Sequence, residues 1–338
     1  MPHSLPVAPW RTLRAGVAIS VAPMLAFAQA GPRAMALVAN QASASATLVD
    51  VSAGTTVDIA VGDGPHEAAI LPGGRRGVVT IYGVAGAPGH QLAVIDLVTR
   101  SVERTIELGQ YTRPHGVVAV PGKPNLVAIT SETTRNLLLV NVESGTIDRV
   151  IPTNAAASHM AALPTTGSAA GTRAYTANIA AGSTSELDIS TGTTLRVLPV
   201  SSMTEGIAVT PDGSEVWLGS NNQSTVSVVD VAKGSVVATI EGFKFPYRLG
   251  ISADGRTAVV VDPPNSAVFV VDIATRAIRG RIDNLASPRG VSIAADGRTA
   301  MITSAEASSV ILVDLVTLKE LRRFPVGQSP DGVGYVAK

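Results

Sequence analysis

Four histidines follow residue 30, in settings where they could do chemistry: His66 in GPHEA, His115 in RPHGV, His159 in SHMAA and His90 in APGHQ. The first three each stand just ahead of a short apolar run, at nearly the same place in three successive segments. That place reads onward as Glu205 in TEGIA, Tyr247 with Arg248 in PYRLG, Arg289 in PRGVS and Asp331 in PDGVG. Three chemistries suit such a set. His66, His115 and His159 could hold a divalent metal such as zinc or copper, with Glu205 or water completing the shell. Three imidazoles with an open fourth position make a catalytic zinc site. Alternatively, His159 or His115 acts as general base near neutral pH, while Arg248 and Arg289 hold a carboxylate or oxyanion. Catalysis would then centre on His159, Glu205 and Arg289. In the third reading, His66, His115, His159, Glu205, Tyr247, Arg248, Arg289 and Asp331 form a polar rim without turnover. That rim binds a small anionic ligand or a partner protein, and it is the reading adopted here. The register leaves one question open, because His159 and Arg248 could each belong one residue further on, which would turn their side chains.

Residues spread from His66 to Asp331 can meet only in an architecture that curls the chain back on itself. The sequence supplies one. Short β-branched runs recur as ALVAN from Ala36, VVTIY from Val78, LVAIT from Leu126, AYTAN from Ala174, VWLGS from Val216, AVVVD from Ala258 and AMITS from Ala300. Their starts are 42, 48, 48, 42, 42 and 42 residues apart. Each is followed by an alternating run ending at Asp50, Asp96, Asn141, Asp188, Asp230, Asp272 or Asp314, then by two further runs. Runs of about five residues with period two, bounded by turn residues, are strands. Four short strands in about 40–50 residues make a propeller blade. The first repeat lacks an inner strand, and Gly332–Ala337 is an inner strand without a blade. The expected fold is therefore all-β: a seven-bladed β-propeller of four-stranded antiparallel blades, its ring closed when the C-terminal strand completes the N-terminal blade. Closure also hides the open edges of the sheets.

Ser214–Ser220 with Thr225–Asp230 forms a strand–loop–strand unit, and Thr210–Gly213 (TPDG) is a hairpin turn. In these units the chain resembles the YVTN-repeat (YncE-like) β-propeller family over nearly all of its length beyond residue 30. The resemblance implies an extracytoplasmic bacterial propeller and leaves the role open. Some propeller lactonases and lactonising enzymes look similar in placing His, Glu and Arg around the channel mouth, so a lactonase-like hydrolase or isomerase is the enzymatic rival. The chain departs from the pattern at Pro164–Arg173, a longer turn, and at Val84–His90, a longer loop.

The repeated carboxylates at the third-strand ends read as acceptors for turn N–H groups. The series Asn40, Tyr82, Thr130, Asn178, Ser220, Asp262 and Ser304 closes the second strands, with Asn178 and Asp262 as candidate rim contacts. Ser131, Glu132 and Arg135 could extend the site outward. Strand alternation places the entering loops and the loops after the second strands at one end of the ring, where function in such scaffolds sits.

Composition narrows the classes. The chain has 338 residues, 26 basic and 26 acidic, and no cysteine. Without cysteine there are no disulfides, thiolate metal sites or cysteine nucleophile. The balanced charge argues against nucleic acid as partner, even with the Phe243–Arg248 aromatic-basic patch. No G-x-S-x-G elbow, phosphate loop or dinucleotide fingerprint is present. At the N-terminus, Arg11 and Arg14 precede an apolar run from Ala15 to Ala28 and the A-x-A sequence Ala28-Gln29-Ala30. That pattern is a secretory signal peptide over residues 1–30, with a single propeller domain over 31–338. Removing residues 1–30 takes away two arginines and no acid, leaving a balance of −2. The expected product is a periplasmic or secreted monomer with no membrane insertion after the signal is removed.

Overall fold

The computed structural model describes residues 1–5 and 34–337. The chain divides into two units, Met1–Gly31 and Pro32–Lys338. In the first, the described residues Met1 to Leu5 are exposed and without regular structure. The leader expected over residues 1–30 otherwise lies outside the described residues. Among the described residues, no helix is long and apolar enough to cross a membrane.

The second unit is a seven-bladed β-propeller: seven antiparallel sheets of four strands each. In blade 1 the inner strand Pro330–Val336 pairs with Met35–Asn40, which pairs with Ser45–Asp50 and then Thr55–Ala60. The tail thus supplies the innermost strand of the first blade, as the strand left over in the sequence requires. Blades 2 to 7 run inside to outside in chain order, entered by Pro65–Ile70, Pro114–Ala119, Ser158–Ala162, Thr204–Val209, Arg248–Ile251 and Pro288–Ile293. Neighbouring inner strands contact one another all the way round, including blade 7 with blade 1 and blade 1 with blade 2. One three-residue 3-10 turn, Pro263–Asn265, is the helical content among the described residues.

The blades are held by what lies between them. Each pair of neighbours shares one apolar cluster, because every sheet has two apolar faces and no helix to cover either. Trp217 and Val228 of blade 5 pack with Val260 and Phe269 of blade 6. At the closure, Ala36, Val38 and Val333 of blade 1 meet Met301, Val310 and Phe324 of blade 7. Outer strands are largely exposed, and all but that of blade 4 bury one apolar residue near their end: Ile59, Ile106, Ile151, Ile240, Ile282 and Phe324.

The carboxylate series does the turn work expected of it. Oδ1 of Asp50, Asp96, Asp188, Asp230, Asp272 and Asp314 accepts backbone N–H groups from the turn that follows, and Asn141 does the same through its amide oxygen. At Val84–His90 the chain forms a hairpin extension of the strands, with Val84 opposite Ala87. Gly83 and Gly86 take the left-handed backbone that this requires.

Two outcomes follow. Removing residues 330–338 strips blade 1 of its inner strand and should cost more than about 5 kcal/mol, enough to unfold a marginal protein. Calorimetry should show loss of the cooperative transition, and a permutant carrying that strand ahead of Met35 should recover it. The hydroxyl of Ser190 and the N–H groups of Ser190 and Thr191 hold Asp188 at a pKa of about 2. An unfolded aspartate titrates near about 3.9. Its stabilisation is therefore present above that value and lost as pH falls towards about 2. The urea midpoint of Asp188→Asn should lie below wild type at pH 7, the gap closing on acidification.

Candidate functional site

In every blade but the sixth, the inner strand shifts register near its entry. In blade 2, Pro65 faces Ile81 and Ala68 faces Val79, so His66 and Glu67 together oppose Thr80. Blades 3, 5 and 7 repeat this bulge at His115-Gly116, Glu205-Gly206 and Arg289-Gly290, and blade 1 at Asp331-Gly332. A bulge re-aims side chains out of the sheet alternation. In blades 1 to 4 the side chains at these bulges, Asp331, His66, His115 and His159, lie against one another in turn.

The ladders fix the register. His66, His115, Glu205, Tyr247, Arg289 and Asp331 each lie four residues before the inner-strand residue facing the start of the second strand: Ile70, Ala119, Val209, Ile251, Ile293 and Tyr335. His159 is three before Ala162, which pairs one step further along at Tyr175, and so it holds the same place. Arg248 stands one residue on. At that next place four blades carry glycine, because the following blade approaches too closely for a side chain. A Cβ on Gly290 would sit 2.2 Å from the Asp331 carbonyl, and one on Gly206 2.6 Å from that of Tyr247. Glu67 and Arg248 occupy this place instead, and their long side chains meet.

Threonines of the second strands tie these bulges from blade to blade. Thr80 accepts from the Glu67 N–H (3.0 Å) and donates to the His115 carbonyl (2.9 Å). Thr130 accepts from Gly116 and donates to His159, and Thr303 accepts from Gly290 and donates to Asp331.

At the centre lies Arg248, 4% exposed. Its Nη1 donates to Glu205 Oε1 of blade 5 (2.8 Å), while Nη2 and Nε donate to Glu67 Oε1 of blade 2 (3.0 and 3.2 Å). Blades 6 and 2 are not neighbours, so this contact spans the axis. The Tyr247 ring lies 4.2 Å from the guanidinium carbon. Burial would raise the Glu205 pKa, but His159 Nε2 at 3.2 Å and the charge of Arg248 outweigh it and hold it at about 2. Burial is likewise outweighed at Glu67, chiefly by Arg248, and its pKa is lowered. The Glu205 carboxylate also accepts from Asn221.

The three imidazoles run side by side along blades 2, 3 and 4. Ring centroids are 4.0 Å apart for His66 and His115, and 3.6 Å for His115 and His159. They differ in surroundings. Burial would lower the His66 pKa, but Asp331, with Oδ2 3.4 Å from Nδ1, and Glu67 raise it overall. Burial and the neighbouring imidazoles push the His115 pKa well below the ordinary value, which favours the neutral ring. His115 is 1% exposed, and both its ring nitrogens lack a hydrogen-bond partner. His66 Nδ1, His159 Nδ1 and both Asp331 carboxylate oxygens also lack one. Folded proteins seldom leave buried polar atoms unmatched.

Metal-ligating atoms gather in two sets among the described residues: His66, Glu67 and His115, and His115, Glu132 and His159. Each set pairs two imidazoles with a carboxylate. Glu132 follows the second strand of blade 3 and accepts from the Tyr82 hydroxyl (2.8 Å), whose pKa burial and that carboxylate push up to about 12. Arg289 stands nearer solvent, its Nη1 3.4 Å from Gln41 Oε1 and 3.9 Å from Asp331 Oδ2. His90 lies apart, on the hairpin extension facing Glu107 at 3.3 Å. Asn178 and Asp262 are buried and hold hydrogen-bond networks, Asp262 accepting the Lys244 and Phe245 N–H groups. Phe243 is buried edge-on to Phe269.

Sequence reasoning named the seven positions at the entries of the inner strands. It missed the reach of Glu67, the Tyr82–Glu132 contact, Asn221 and the threonine ties. A signal for Glu67 was present, namely a charged residue where four other blades carry glycine.

The fold and its axial polar cluster define a seven-bladed β-propeller with side chains converging at one end of the ring. Among solved structures the chain is similar to the hydrazine synthase of Kuenenia stuttgartiensis, at 15% identity and a TM-score of 0.67, covering 78% of this chain and 87% of that one. At that identity the likeness speaks for the fold alone. No family model and no curated protein matches the chain.

Replacing Arg248 by Met leaves two buried carboxylates without their partner. Breaking a buried pair from one side costs about 3–5 kcal/mol. Urea denaturation of Arg248→Met should show a loss of that size. Adding Glu67→Gln should restore part of it, because one uncompensated charge is then gone.

Proposed function

We propose that this protein is an extracytoplasmic binding module of the YVTN-repeat type, exported through the leader in residues 1–30. In this reading it works as a monomer in the periplasm or outside the cell, and it takes its ligand at the histidine-bearing end of the ring. The observation that carries it is the cluster of buried polar atoms without a hydrogen bond on His66, His115, His159 and Asp331, when among the described residues only Asn40, Thr184 and Asn221 have another such side-chain atom. Charge refines the ligand. Arg248 is spent internally on Glu67 and Glu205. Arg289 is not: its contacts are long and its side chain is 31% exposed. An anionic group on a small ligand, or on a partner protein that reaches into the mouth, would meet Arg289. The Arg11, Arg14 and Ala15–Ala28 pattern supports export.

Citrate serves as a probe of the anion arm. Protein carrying isotope-labelled histidine should show ring shifts at His66, His115 or His159 on adding citrate, and Arg289→Gln should weaken binding about tenfold, the worth of one charge-assisted hydrogen bond. Unmoved histidine signals at saturating citrate would count against an anion-binding mouth.

A further inference from the structure

Resting on the reading that this end of the ring is the binding site, we propose that His115, Glu132 and His159 bind a divalent transition-metal ion. The geometry selects this set over the one made by His66 and Glu67. Glu67 Oε1 is already taken by two nitrogens of the Arg248 guanidinium, and a cation beside it would face that positive charge at close range. In the chosen set His115 offers buried nitrogens with no protein partner, and His159 offers Nδ1, 3.6 Å from Glu132 Oε2 and likewise unpartnered.

Around His159 and Glu132 the neighbours are arranged as they are in metal sites. A ligating imidazole usually has its other nitrogen held by a carboxylate, which fixes the ring and its tautomer. His159 Nε2 is 3.2 Å from Glu205 Oε1, and Glu205 is itself anchored by Arg248 and Asn221. On the opposite side the Tyr82 hydroxyl holds Glu132. Glu205 and Tyr82 are therefore positioning residues. An entry path exists too, since the His159 and Glu132 side chains are 14% and 23% exposed while His115 behind them is sealed. Two imidazoles and one carboxylate suit zinc, cobalt or ferrous iron, and they leave coordination positions open towards the mouth.

The test uses untagged full-length protein, stripped with EDTA and titrated with Co²⁺ alone by calorimetry and visible absorption. One Co²⁺ per chain is expected, displaced by Zn²⁺, with a Co²⁺-dependent rise in melting temperature. Glu132→Gln, His159→Gln and the positioning variant Glu205→Gln should each weaken binding by about 10–100-fold, while His66→Gln stays within about threefold of wild type. Glu132 is half-buried and Gln keeps an acceptor for the Tyr82 hydroxyl, so Glu132→Gln should fold, and its melting curve without metal verifies that. Three results would each overturn the proposal: no stoichiometric Co²⁺ binding, wild-type affinity in Glu132→Gln, or loss confined to His66→Gln and Glu67→Gln. If Co²⁺ fails to bind while citrate still moves the histidine signals, the metal inference falls and the binding module stands. If neither probe binds, both fall.

Discussion

The pairing of Pro330–Val336 with Met35–Asn40 carries the architecture. Every blade is a twisted sheet with two apolar faces, and each face is buried only because another blade lies against it. An open row of such sheets would leave two faces and two inner edges exposed. By giving the first blade an inner strand from the tail, the chain removes both exposures at once, and the cluster of Ala36, Val333 and Phe324 becomes one of seven equivalent seams. Convergence of the polar residues is a consequence of that closure. His66 and Asp331 lie on adjacent inner strands although nearly the whole chain separates them.

The repeat was legible because a blade is a local object: its strand lengths, turns and third-strand carboxylate recur within about 40–50 residues and can be read without long-range knowledge. The phase of the repeat also located seven equivalent axial positions, from His66 round to Asp331. Contacts across the ring were not legible. Whether Arg248 reaches Glu67 depends on the ring's diameter and on which entry places lack a glycine, and neither is a property of one repeat. The same limit explains Asn178 and Asp262. They close strands at the expected end, yet their amide and carboxylate groups turn inward to satisfy buried hydroxyls and loop N–H groups, a choice set by neighbours in space.

Electrostatics at the axis follows from few groups in little water. Four carboxylates, Glu67, Glu132, Glu205 and Asp331, share the region with three guanidiniums: Arg248, fully engaged, Arg289, and Arg113 over the Tyr82 ring. In the proposed reading, cations belong within the carboxylate cluster and anions at the outer Arg289. The imidazoles divide accordingly: His66 is drawn towards the charged form by Asp331, whereas His115, sealed between two other rings, is drawn towards the neutral form.

The guanidinium of Arg248 also has a bearing on traffic. Strung between opposite sides of the ring and backed by the Tyr247 ring, it bars the axis like a crossbeam. Under the proposed binding at this end, a guest stopped by that beam would leave by the opening through which it entered.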